Sequence, residues 1–135
     1  MNAYESSRLN IGALCLGAVC FLVAHLLNIS ILAFVYSDLD SDVSPVFDVI
    51  FEYSFWLVLV IPGVVAAFFA KERRLLHSFI VGLIVGAFSV LFVLFNAPPG
   101  ESISVLSAVK IVALAVALSA IGGAVVRVLE YGIRR

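Results

Sequence analysis

Apolar residues run through this chain in four unbroken blocks, and each block ends in a short cluster of charged residues, prolines or turn formers. The blocks cover residues 9–36, 46–70, 75–96 and 103–129. Runs this long, with neither period-two alternation nor a wholly polar face, are the pattern of helices surrounded by an apolar medium. Each exceeds the ~20 residues that carry a helix across roughly 30 Å of hydrocarbon at about 1.5 Å per residue. Inside a bilayer the backbone satisfies its own hydrogen bonds only as a helix or a closed barrel, and continuous apolar runs speak against the barrel. The expected fold is therefore all-α: a single transmembrane domain over residues 1–135, a four-helix bundle made of two helical hairpins.

The breaks fit this plan. SDLDSDVSP (37–45), KERR (71–74) and APPGES (97–102) are short and rich in turn formers, so no extramembrane domain is expected. Pro62, inside the second block, predicts a kink, because it removes a backbone donor and crowds the preceding turn. The first block is too long for the roughly 7–15-residue core of a signal peptide, so it reads as a retained helix. The stretches VIPGVVA (60–66) and AIGGAVV (120–126) are similar, which suggests a weak duplication of the hairpin.

Composition strengthens the membrane reading. The chain is 64% hydrophobic and 13% charged, with a mean hydropathy of +1.21. A soluble domain carries about 25% charged residues. A surface for nucleic acid is excluded on the same ground. Cys15 and Cys20, five residues apart on one helix, point to different faces and do not bridge.

Charge sets the expected orientation. Arg8, Lys71, Arg73, Arg74, Arg127, Arg134 and Arg135 lie at one end of the helices, whereas the loops after the first and third blocks hold no Lys or Arg. The positive-inside rule then places both termini and KERR in the cytoplasm, in what reads as a bacterial inner (plasma) membrane. Assigned this way, the inner side carries +4 and the outer side −5, matching the net charge of −1. Tyr36, Tyr53 and Trp56 fall toward the outer interface, where aromatic rings anchor helices.

Candidate chemistry gathers at one level. Counting about 1.5 Å per residue from the basic ends puts His25, Glu52 and Lys110 each roughly 25–28 Å up, near the outer face. Asn96 stands at a comparable height above His77. Asn28 shares a face with His25, and Asp48 with Glu52, by their spacings of three and four. Polar groups in a bundle face inward and pair, so a Glu52–Lys110 ion pair beside His25 and Asn96 is one expectation; snorkelling of Lys110 to the headgroups is the other. Gly82 and Gly86, Gly63 and Ala67, and Ser119 and Gly123 repeat a small-xxx-small spacing that lets helices approach closely, within the bundle or between copies. SDLDSD lacks the glycine and closing glutamate of a calcium loop. KERR with Arg127, Arg134 and Arg135 suits anionic headgroups. Neither a metal nor a cofactor is expected.

The four-helix plan invites two comparisons. Small multidrug-resistance transporters carry a membrane-embedded glutamate on their first helix, and this chain has none there. GGAVVR (122–127) looks like the glycine-rich stretch of fluoride channels but lies at the wrong end of the chain. With no nucleophile–base set, phosphate loop or metal cluster, no enzyme is expected. Two functions stay open. One is an accessory or structural subunit that associates through helix faces with itself or a larger membrane complex. The other is a small oligomeric transporter or channel using His25, Glu52 and Lys110.

Overall fold

The computed structural model describes residues 9–38, 45–70, 72–98 and 102–133; the side chains of 32, 35–38, 45–48, 51 and 52 lie outside that description. Four helices and no strand occur among the described residues: α1 (Ile11–Asp38), α2 (Pro45–Ala70), α3 (Arg74–Asn96) and α4 (Val105–Ile133). At about 1.5 Å per residue they are roughly 35–44 Å long, and each is long and apolar enough to cross a membrane. This is a small membrane protein.

The apolar blocks and the helices nearly coincide, and the differences have local causes. Asn10 caps α1: its Oδ1 accepts the Ala13 N–H at 3.1 Å. Ser104 caps α4, its Oγ accepting the Ser107 N–H at 3.1 Å, so the helix opens at Val105 and not at 103. At its other end α4 continues past residue 129 to Ile133, because hydropathy marks where lipid ends and not where backbone hydrogen bonding ends. Arg74 pairs with Glu130 there, and the Arg127 guanidinium lies 5.9 Å from the Tyr131 ring centre one turn on. Pro62 is accommodated within a continuous α2.

α2 and α3 touch each other and both outer helices; α1 and α4 do not pack together. The bundle is thus a rhombus with α2 and α3 across its short diagonal. Its core is Phe21, Val58, Leu59, Ala66, Val81, Val85 and Ala115, mostly of small or medium size. That choice follows from the medium: lipid tails are as apolar as leucine, so helices gain by close contact and not by escaping solvent. A methyl group on Gly82 would lie 2.7 Å from the Val116 Cα, and one on Gly86 would lie 2.8 Å from the Val112 Cα. One on Gly63 would collide with the Ser119 carbonyl, and one on Gly123 with the Ser78 hydroxyl. Ala67 and Ser119 are fully buried beside them. The small-residue rows therefore serve contacts of α4 with α2 and α3 inside the chain. The stretches 60–66 and 120–126 meet there as well, with Gly122 lying against the Val60 carbonyl and Val64.

Large apolar side chains, among them Phe34, Phe95 and Val105, face outward along all four helices. In water such a surface would far exceed the few hundred Å² that soluble monomers tolerate. In hydrocarbon it is the required exterior.

Candidate functional site

The half of the bundle toward the basic ends of the helices spends its polar atoms on structure. The Ser78 hydroxyl donates to the Gly63 and Arg74 carbonyls, at 2.9 and 3.0 Å. Ser119 donates to the Leu59 carbonyl at 3.0 Å. Both hydroxyls thus reach α2 within one turn of Pro62, tying α3 and α4 to the part of α2 that lacks one backbone donor. His77, 1% exposed, closes the end of the bundle. Its Nε2 accepts the Asn10 N–H at 2.8 Å, while Nδ1 donates to the Arg73 carbonyl at 3.1 Å. Those two bonds require the tautomer with its hydrogen on Nδ1. The Arg73 carbonyl also accepts the His77 N–H at 3.1 Å, which holds the left-handed turn at Arg73 (φ 47°) that starts α3. The Asn10 side chain completes the clasp by donating to the Phe69 carbonyl at 3.3 Å.

The opposite half is different. α1 presents His25, Asn28 and Ile29 to a cavity of about 240 Å³. α2 contributes Phe55 and Leu59 to it, α3 contributes Ser89, Phe92 and Val93, and α4 contributes Ile111 and Leu114. The imidazole stacks on Phe21 (5.4 Å between ring centres, 14°) and meets Phe92 edge-on (4.9 Å, 86°). Phe55 approaches its edge at 6.5 Å. These rings set its orientation. Its Nδ1 is buried and has no hydrogen-bond partner. Ser89 donates to the Val85 carbonyl at 2.9 Å, which leaves its oxygen lone pairs toward the cavity wall. The cavity wall is thus almost wholly apolar, with the unpartnered His25 Nδ1 buried behind it. Such a lining suits a small apolar molecule, and the cavity is somewhat below the usual ~300–1,000 Å³ of small-molecule sites.

Of the residues the sequence places at this level, His25 and Asn28 share the cavity. Lys110 does not line it; it precedes Ile111 by one residue, turns away by about 100°, and is exposed. Asn96 is exposed, donates to the Phe92 carbonyl at 2.8 Å, and borders a separate hollow with Ala97, Pro98, Ser102 and Ile103. Asp48 and Glu52 belong to α2, but their side chains, and with them the Glu52–Lys110 pair, lie outside the described residues. Ser89, Phe55 and Phe92 are additions of the fold: nothing in an apolar run marks which phenylalanine or serine turns inward. Among the described residues no group of three His, Cys, Asp or Glu side chains is placed to hold a metal ion.

Fold and cavity together define a small four-helix membrane protein with an apolar cavity beside His25. No family model, no curated protein and no solved structure matches the chain.

Proposed function

We propose that this chain is a non-catalytic polytopic membrane subunit, which works by associating through its outward helix faces with copies of itself or with a larger membrane complex. In this reading it sits in a bacterial inner membrane with both termini and the Lys71–Arg74 turn in the cytoplasm. The observation that carries the proposal is the close packing of the inner half. Gly63, Gly82, Gly86 and Gly123 bring backbones together, and the Ser78, Ser119 and His77 polar atoms are occupied by structural bonds. A polar path through one protomer has no room there. The small-residue rows are used within the chain, so association falls to the larger residues outside. α1 is the least buried of the four, with 11% of its span inside the bundle.

The test is cross-linking in the native membrane, followed by mild-detergent extraction of the tagged chain and mass analysis. A fixed stoichiometry with a second protein or with further copies is the expected result. A chain that cross-links to nothing and leaves the membrane as a monomer overturns the proposal.

A second reading, a small oligomeric transporter with its site near the outer face, is favoured by one specific feature: the buried, unpartnered Nδ1 of His25 in its aromatic cavity. In that case the path runs between protomers. His25→Leu then abolishes flux while leaving assembly intact, whereas a pure subunit tolerates the change in both respects.

A further inference from the structure

The seam between α3 and α4 carries two hollows along its outward side. At the basic end is a cleft of about 570 Å³, walled by Arg73, Arg74, Leu76, Arg127, Glu130 and Tyr131. Three arginines face one glutamate there, so the cleft has an excess of two positive charges. Arg74 is engaged with Glu130. Arg127 is exposed and lies over the Tyr131 ring, which fixes its position while leaving the edge of its guanidinium free to donate. Farther up the same seam is an apolar groove of about 700 Å³, bordered by Phe79, Leu83 and Ala87 on α3 and by Val109, Ala113 and Val116 on α4.

The helical spacing sets the two on one face of the seam. On α3, Leu76 of the cleft is followed at steps of three and four by Phe79, Leu83, Ala87 and Val90 of the groove. On α4, Val116 of the groove and Arg127 of the cleft are eleven residues apart, which is about three turns and so one face. From Phe79 to Val90 the groove runs about 16 Å along the helix. Alanines at 87, 108 and 113 make it concave.

We propose that this seam is a binding site for an anionic phospholipid, with the headgroup phosphate in the arginine cleft and an acyl chain in the groove. The pairing of the two hollows on one face selects the ligand class. A free anion leaves the groove empty, and an apolar helix brings no anion to the exposed Arg127. A phospholipid fills both, and its phosphate accepts the forked donors of a guanidinium. The proposal rests on the chain spanning a bilayer and is independent of any protein partner.

The experiment is native mass spectrometry of the full chain in a neutral detergent, titrated with phosphatidylglycerol, phosphatidylcholine or inorganic phosphate. One phosphatidylglycerol per chain is expected, at least fivefold tighter than phosphatidylcholine. Arg127→Gln is expected to lower phosphatidylglycerol affinity at least fivefold, with Arg127→Lys losing less. Ala113→Phe, which fills the groove, is expected to weaken the lipid but not inorganic phosphate. Circular dichroism melting of the lipid-free variants checks that each is folded. Equal affinity for both lipids overturns the site. So does unchanged binding by folded Arg127→Gln, and so does inorganic phosphate competing at the lipid's own concentration, which would make this a simple anion cleft.

Discussion

Individual residues in this chain are constrained most tightly where a side chain is missing. Gly63 accepts the Ser119 backbone against its Cα, so Gly63→Ala forces α2 and α4 apart. We expect it to lower stability by about 1–3 kcal/mol, the usual cost of overpacking. Gly132, which has nothing within 4 Å of an added methyl, serves as the control. Gly132→Ala is expected to be neutral or to stabilise by a few tenths of a kcal/mol, because alanine gives up less backbone freedom in a helix. Equilibrium unfolding of the detergent-solubilised protein, compared between the two variants, measures the contrast; equal effects would contradict the packing argument. Lys110 is the opposite case. Its exposed side chain has a long apolar stem, which suits snorkelling to the headgroups. Lys110→Leu should shift stability by no more than about 0.5 kcal/mol in the same assay. A loss of several kcal/mol would instead reveal a buried ion pair at that level.

At the scale of elements, the start of α1 depends on α3. The Asn10 N–H has His77 as its acceptor, and Asn10 in turn caps α1 and donates to the Phe69 carbonyl at the end of α2. His77→Phe keeps most of the volume and removes both ring nitrogens. The Asn10 N–H and one bond to the Arg73 carbonyl are then lost, at a cost of about 1–3 kcal/mol. The expected signature is local: amide hydrogen exchange at residues 10–14 should quicken by about tenfold, with α4 unaffected. Uniform acceleration across all four helices would mean that His77 supports the whole bundle and not this junction. The sequence marks His25 and Asn28 as neighbours because a spacing of three fixes them on one helix face. It does not mark Ser89, Phe55 and Phe92 as their companions, because a helix apolar on every side has no stripe to show which way it is rotated.

At the scale of the whole molecule, charge carries a prediction about orientation. Charge asymmetry predicts that the α3–α4 turn is outside and Arg127 inside. With Cys15 and Cys20 first replaced by alanine, a membrane-impermeant maleimide applied to intact cells should label Ser102→Cys and spare Arg127→Cys until the cells are opened. The reverse pattern inverts the topology and moves the arginine cleft to the outer leaflet. The bundle's shape gives the two ends different duties. The basic half is held by backbone contact and by the buried polar side chains His77, Ser78 and Ser119, and the other half opens around His25. Among the described residues α1 and α4 each touch α2 and α3, and α1 is the less buried of the two, so it has more of its length left for a neighbour.

Number, length and approximate limits of the helices were legible from the sequence alone, because crossing hydrocarbon imposes a local demand: about 20 consecutive apolar residues with every backbone bond made inside the segment. The small-residue spacings were legible too, as rows able to bring helices close. Only the tertiary structure decided that these rows face one another within the chain, that His25 packs among three phenylalanines and shares a cavity with Ser89, that Lys110 stands apart from that cavity, and that the arginine cleft and an apolar groove lie on one face of the α3–α4 seam. Each of those depends on the rotation and neighbour of a helix. In a nearly uniform apolar segment these are set by the shapes of contacting side chains and backbones, and not by the division between oil and water that makes soluble helices readable.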